Sequence, residues 1–326
     1  MIGGTPLLEL PVRNPNWQLY LKMEKTNPGQ SMKDRMALSM INGAEQRGNL
    51  KPGGTIIESS SGNTAIGLAM IAAARGYRFI AVVDHHAAKE KINIIRAYGG
   101  EVVYVGEGHA PDKVAVKERE EMAARLASEI PNSFFPNQAD NPDNPVGYGS
   151  LAQEIIEALV NVRILIGSIG TGGSLCGTAR ALKKNDSSIK VAAVEPKGSV
   201  IFGGPDGPYF QSGTGNPGSV EIAGNVDRSV IDENHWASDK EAFNTARFLA
   251  KSKGILVGGS AGGVVYKALE LTHSREGGGN MVALIPDGGE RYISTLFNDD
   301  WMHTKQLLDI SVETHLRILM KLEHDR

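Results

Sequence analysis

Short β-branched runs alternate along this chain with amphipathic stretches. Thr55-Ile56-Ile57-Glu58 predicts a strand, and after a serine-rich loop an alanine-rich segment predicts a helix from about Thr64. Arg78 to Asp84 then reads as strand, Lys89 to Ala97 as helix, Glu101 to Val105 as strand, and the charged segment Pro111 to about Ser128 as helix. The cycle restarts with a strand over Arg163 to Ile169, a helix over Ser174 to Lys183 and a strand over Lys190 to Val194. Helices over Asp239 to Lys251 and Gly262 to Leu271 and a strand over Met281 to Ile285 complete it. Strands that alternate with helices predict an α/β fold of mostly parallel sheets flanked by helices. Gly198 to Gly224 is the least regular stretch, and a loop that long in a compact domain is usually functional or mobile. After Asp299, Leu308, Val312, Leu316, Leu319 and Leu322 fall near helical spacing. They predict an amphipathic helix packed on the body or on a second subunit.

Composition narrows the function. At 326 residues the chain can form two compact lobes or one large domain. A formal net charge of −3 without a basic stripe gives no electrostatic case for nucleic acid. The longest apolar stretch, Ala65 to Ala74, is too short to span a bilayer. The N-terminus lacks a basic region followed by an apolar run, so a cytoplasmic protein with no membrane partner is expected. With Cys176 as its one cysteine the chain forms no internal disulfide, and one turn into a helix this thiol reads as packing. His85-His86 has no companion cluster at metal-ligand spacing, so no metal is expected. The 39 glycines are the unusual feature. They gather in short loops beside apolar runs, where backbone must turn sharply or approach something closely.

Five of these segments suggest chemistry. In Asn27-Pro28-Gly29-Gln30-Ser31-Met32-Lys33-Asp34-Arg35, Ser31 and Asp34 have capping-box-like spacing, which starts a helix with Lys33 in its first turn. The positive helix end would lower the amine's pKa, as suits Schiff-base chemistry, although alone the ordinary meaning is a surface lysine. Ser59-Ser60-Ser61-Gly62-Asn63-Thr64 lies between strand and helix, where hydroxyls and backbone N–H groups suit a carboxylate; a plain N-cap is the simpler meaning. Gly170-Thr171-Gly172-Gly173-Ser174 can bring backbone N–H groups and two hydroxyls to a phosphate. It is neither a Walker loop nor a dinucleotide fingerprint, since the sixth position is Leu175, so a single phosphate fits better than NAD. Gly258-Gly259-Ser260-Ala261-Gly262-Gly263 and Pro286-Asp287-Gly288-Gly289-Glu290-Arg291-Tyr292, taken singly, read as a tight turn and a charged turn.

Together and in this order, the motifs resemble those of the cysteine synthase and cystathionine β-synthase family of pyridoxal 5′-phosphate (PLP) enzymes. The resemblance runs from Gly3-Gly4-Thr5-Pro6-Leu7 to Arg291-Tyr292-Ile293-Ser294-Thr295-Leu296-Phe297, nearly the whole chain. It implies a two-lobed fold type II enzyme and a homodimer. Residues 1–34 and 148–326 would form a larger cofactor-binding lobe, and 35–147 a smaller mobile lobe that closes over substrate. It makes Lys33 the catalytic, Schiff-base residue and Gly170, Thr171, Gly172, Gly173 and Ser174 the phosphate cup. Asn63 would meet the cofactor's ring hydroxyl and Ser260 its pyridine nitrogen. Ser60, Ser61, Asn63, Thr64 and Gln138 fall where the family binds the substrate carboxylate, and Gly213 lies in the loop on the leaving-group side.

The resemblance also implies β-elimination from an O-activated serine to an aminoacrylate, followed by addition of sulfide or another small nucleophile. A neutral serine at the pyridine nitrogen favours this course, because it leaves the ring a weaker electron sink than an acidic residue would and disfavours transamination. Lys33 is then the natural base for the α-proton. No arginine occurs between Lys197 and Arg228, so a phosphate leaving group finds no clamp in that loop and O-acetylserine is favoured. The loop itself departs from the family, reading Gly207-Pro208-Tyr209-Phe210-Gln211-Ser212-Gly213-Thr214-Gly215-Asn216-Pro217. Alternatives are a serine or threonine dehydratase, toward which Ala65 leans, a cysteine lyase, or a catalytically silent regulatory partner of the same fold.

Overall fold

The computed structural model describes residues 1–106 and 115–321. A hairpin of β1 (Leu7–Leu10) and β2 (Trp17–Met23) opens the chain, and α1 (Lys33–Gln46) follows. Next come β3 (Thr55–Glu58), α2 (Asn63–Arg75), β4 (Arg78–Val83), α3 (Lys89–Ala97), β5 (Glu101–Tyr104), α4 (Val116–Glu129) and β6 (Ser133–Phe134). Then α5 (Asp143–Val146) and α6 (Gly149–Ala158) precede β7 (Val162–Ser168), α7 (Gly173–Asn185), β8 (Lys190–Pro196) and β9 (Glu233–Ala237). The chain continues through α8 (Asp239–Lys253), α9 (Gly259–Ser274), β10 (Gly279–Ile285), α10 (Asp299–Thr304) and α11 (Ile310–Leu319).

The strands form two sheets. One has six strands in the order β1-β2-β10-β7-β8-β9, with only the β1–β2 pairing antiparallel. The other has four parallel strands in the order β5-β4-β3-β6. One buried cluster touches both sheets, joining Ile56 of β3 to Leu165 of β7 through Met36, Met40, Ile66, Leu151 and Leu175. Each such side chain contributes roughly 1.5–3 kcal/mol by leaving water, so this shared core locks the two sheets across α1, α2, α6 and α7. The far face of the six-stranded sheet is covered by α8, α9 and α11 through Phe243, Leu249, Val264, Leu269 and Leu316.

A buried ion-pair network fixes the start of α1. Arg35 Nε donates to Glu24 Oε2 at 2.7 Å and its Nη1 to Glu154 Oε1 at 2.8 Å, while Lys22 Nζ reaches Glu154 Oε2 at 2.6 Å. Thr5 Oγ1 closes the network on Glu24 at 2.6 Å, and Gly3 N–H donates to Asn27 Oδ1 at 2.9 Å. The N-terminal Gly3-Gly4-Thr5 segment thus clamps the loop that leads to Lys33. Breaking one partner of such a buried pair typically costs about 3–5 kcal/mol.

The alternating α/β pattern holds, with instructive departures. β1, β2, β6, β9, α5, α6 and α10 lie outside the predicted set. β2 hides because its alternation fails at Leu21, Lys22 and Met23, all buried, the lysine serving the ion-pair network. β6 has two residues and α5 four, too short for a period. α9 starts at Gly259 rather than Gly262. The capping box expected at Ser31 and Asp34 is replaced by a different arrangement: Ser31 Oγ accepts from Lys33 N–H at 3.2 Å, and Asp34 Oδ2 accepts from Gly29 N–H at 2.6 Å. A true capping box occurs at Ser238 and Glu241. In the tail, α11 packs on α8 and α9 through Val312, Leu316 and Leu319, whereas Leu308 precedes the helix and is exposed; Leu307 takes the buried place. Leu322 and the segment 111–114 of the predicted charged helix lie outside the described residues. Among the described residues no helix is long and apolar enough to cross a membrane, and no His, Cys, Asp and Glu cluster could hold a metal.

Candidate active site

A cavity of about 340 Å³ lies between the two sheets. Its walls include Lys33, Ser60, Asn63, Thr64, Gln138, Gly170, Thr171, Gly172, Ser174, Gly213 and Ser260, so residues spread over some 230 positions of sequence converge there. Two predicted residues stand apart. Gly173 lies one layer behind, packed on Asn144, and Ser61 opens onto a neighbouring cavity.

The loop from Gly170 to Ser174 joins β7 to α7 and is pinned by its surroundings. Gly172 has φ +82°, and a Cβ there would sit 2.5 Å from the carbonyl oxygen of Asn225. At Gly173 a Cβ would come within 2.0 Å of Asn144 Oδ1. Both positions exclude a side chain, and α7 behind them is 13 residues long. Among the described residues no side chain caps the N-terminus of α7, and the cradle presents its N–H groups there, the arrangement that suits a phosphate. Ser260 stands in the first turn of α9 and likewise faces the cavity.

Lys33 begins α1 and opens onto the same cavity. Its pKa is lowered to about 8 by burial, with the Asp287 carboxylate opposing the shift. Desolvation, not the helix end favoured in the sequence reading, is thus the main cause. An amine lowered this far is substantially neutral near pH 8, as a nucleophile or base requires.

The opposite wall is held by side chains. Thr64 Oγ1 donates to Gln138 Oε1 at 2.6 Å, tying the N-terminus of α2 to the segment before α5. Gly62 N–H donates to Ser60 Oγ at 3.2 Å. The Asn63 amide is oriented from both ends: its Nδ2 donates to Asp287 Oδ2 at 2.8 Å, and Arg291 Nη1 donates to its Oδ1. Tyr292 O–H donates to the same Asp287 oxygen at 2.6 Å. Asp287 Oδ1, buried, has no hydrogen-bond partner among the described residues.

The segment Pro286 to Tyr292, read alone as a charged turn, thus supplies the group that fixes Asn63. Its adjacency in order to the other motifs was the available signal. Glu58 was also missed. Buried at the end of β3, it accepts from Ser59 N–H at 3.0 Å, and burial pushes its carboxyl up to about 8. Two cations reach the cavity from elements far in sequence from the Gly198–Gly224 loop: Lys91 of α3, bonded to Ser212 Oγ at 3.2 Å, and Arg119 of α4. The scarcity of cations within that loop therefore does not describe the cavity it lines. Cys176 is buried outside this lining, and His85 and His86 are exposed.

A lowered lysine amine, a glycine-rich anion cradle and a neutral hydroxyl at a second helix start fit a molecule that carries an aldehyde, a phosphate and a ring nitrogen. PLP is such a molecule. Comparison with known proteins agrees. Residues 1–287 match the family model described as "Pyridoxal-phosphate dependent enzyme". The chain is 49 % identical over 317 residues to a Sinorhizobium fredii protein named "Putative cysteine synthase", covering 97 % of this chain and 94 % of that one. Among solved structures, O-ureido-L-serine synthase matches with 37 % identity and a TM-score of 0.83, covering 93 % and 97 % of the two chains. An O-acetylserine-dependent cystathionine β-synthase from Helicobacter pylori matches with 35 % identity and a TM-score of 0.80, covering 90 % and 95 %. The chain belongs to the cysteine synthase and cystathionine β-synthase family, and is a PLP-dependent enzyme of its β-replacing kind.

Proposed function

We propose that the enzyme replaces the β-substituent of an O-activated serine, with O-acetylserine the favoured substrate, by a small nucleophile to give cysteine or a β-substituted alanine. The observation that carries this reading is the meeting of Lys33, the Gly170–Ser174 cradle and Ser260 in one cavity. PLP, when bound, makes the α-proton of an amino acid acidic and allows a group to leave from the β-carbon.

The residues divide the work. The cradle and the Thr171 and Ser174 hydroxyls would hold the phosphate, Asn63 the ring oxygen, and Ser260 the pyridine nitrogen. The Ser260 hydroxyl carries no charge to keep that nitrogen protonated, which favours loss of the β-substituent over transamination. Lys33 would anchor the cofactor and, once released, take the α-proton on its neutral amine and later return it to the same carbon. Ser60, Asn63 and Thr64, with Gln138 beyond them, would receive the substrate carboxylate at the start of α2, whereas Ser61 opens onto the neighbouring cavity. The carboxylate loop belongs to the four-stranded sheet, and the cradle and Ser260 to the six-stranded one. A substrate would therefore bridge a smaller lobe, 35–147, to a larger one, 1–34 with 148–326, and favour closure between them.

The visible absorption of the PLP-loaded protein tests this. We expect a yellow band that Lys33→Ala abolishes and that moves to longer wavelength on addition of O-acetylserine, with acetate released. A band indifferent to O-acetylserine but responsive to O-phosphoserine, serine or cysteine would move the assignment to that substrate. Pyruvate formed from serine without an added nucleophile would instead favour the dehydratase. Failure to bind PLP would refute the site.

A further inference from the structure

Behind the cavity wall, two buried asparagines converge on one carbonyl. Asn144 of α5 donates from Nδ2 to the Gln138 main-chain oxygen at 2.6 Å, and Asn225 donates from its own Nδ2 to the same oxygen at 3.2 Å. Each also abuts a glycine of the cradle. The Asn225 carbonyl lies against Gly172, and the Asn144 amide lies against Gly173, where a Cβ would collide with its Oδ1. On the cavity side, the Gln138 side chain accepts from Thr64 Oγ1 at 2.6 Å. A chain of direct contacts thus runs from Gly173 through Asn144 and Gln138 to Thr64. It joins the cradle to the loop proposed to take the substrate carboxylate.

Asn144 is the informative member. It is 0 % exposed and stands outside the cavity wall. Its Oδ1 makes no hydrogen bond among the described residues. A buried acceptor left unmet is costly, and an apolar side chain of similar size would avoid that cost. What an apolar side chain cannot supply is the donor that fixes Gln138. The seat beneath the amide is close-fitting: α5 rests on α7 at Gly173 and, one helical turn on, at Gly177, which packs against the Pro145 carbonyl.

We infer that Asn144 is a positioning residue that sets Gln138 from the cradle, so that the phosphate site and the substrate-carboxylate site are adjusted together. This deepens the proposed reading of the site and rests on it. Without the Nδ2 bond, the Gln138 carbonyl keeps only the longer bond from Asn225, and the partner of Thr64 is free to shift.

Two ligands without a β-leaving group test it on the PLP-loaded enzyme: L-alanine, and ethylamine, which is L-alanine without its carboxylate. The readout is the dissociation constant of each, taken from the change in the visible band. Asn144→Ala should raise the L-alanine constant about 3- to 10-fold, as expected for one neutral hydrogen bond, and leave that of ethylamine unchanged. Gly173→Ala, whose added methyl must push the Asn144 amide off Gln138, should raise the L-alanine constant by a similar factor. The Gly173→Ala/Asn144→Ala double variant should bind L-alanine no more weakly than Asn144→Ala alone, because the methyl then meets no amide. Equal losses for both ligands overturn the inference, since a general loosening of the fold would produce them. So does a double variant as weak as the product of the two single effects, or an L-alanine constant untouched by Asn144→Ala. If Asn144→Ala does not fold or load PLP, Asn225→Ala carries the comparison of the two ligands; it removes the other donor to Gln138 and keeps the main chain against Gly172. A wild-type protein without the band, or with a band that ignores both ligands, refutes the reading of the site itself and this inference with it.

Discussion

The Gly170–Ser174 cradle and the Ser59–Thr64 loop face one cavity from two sheets, yet they are built on opposite principles. The cradle is mostly backbone in close contact, with Gly172 against the Asn225 main chain and Gly173 against the buried Asn144 side chain, both too close for a Cβ. The loop is side chain held by side chain, through Thr64 to Gln138 and through Asn63 to Asp287 and Arg291. A rigid cradle suits a group that stays through every turnover. Hydrogen-bonded side chains can exchange partners at little cost and suit a group that comes and goes.

Filling the cradle should break this contrast most severely. Gly172→Ala places a Cβ against the Asn225 carbonyl on a residue with φ +82°, and strain of this kind predicts PLP binding weaker by about 10- to 100-fold in equilibrium titration. The Ser59–Thr64 loop should respond more mildly and in another parameter. Thr64→Val removes one neutral hydrogen bond, so KM for the amino-acid substrate should rise about 3- to 10-fold while PLP affinity holds. Equal losses of PLP affinity in both variants would erase the distinction.

The smallest effect concerns Asp287, which ties Asn63 of the loop to the surroundings of Lys33. Its carboxylate stabilises the Lys33 ammonium and so holds up a pKa that burial has lowered to about 8. PLP uptake by the apo protein should therefore rise with pH through a midpoint near 8, as the neutral amine forms. Asp287→Asn keeps an acceptor for Asn63 but removes the charge, and the midpoint should move to lower pH. An unchanged midpoint would mean that the Asp287 charge does not act on the amine.

How legible these parts were follows from how they are made. The cradle is local, five consecutive residues between a strand and a helix, and its glycines announce it. Lys33, Asn63 and Ser260 also stand inside local motifs. The ties between them are long-range and carry no local signature: Asp287 reaches back 224 positions to Asn63, and Lys91 reaches Ser212 across 121. A clamp sought only between Lys197 and Arg228 overlooks Lys91 for that reason. In the fold, the buried helix α2 and the apolar strands β4 and β7 declared themselves by composition. β2 did not, because its buried Lys22 serves an ion-pair network that only the folded chain assembles.

Lys33, half-buried, and Lys91, buried, are two amines on one cavity, and the proposed site gives the cofactor to the first alone. Borohydride reduction of the PLP-loaded enzyme, followed by peptide mass mapping, decides between them. A pyridoxyl group is expected on the peptide that contains Lys33, with Lys91 unmodified. A pyridoxyl group on Lys91, or labelling shared between the two, would contradict it.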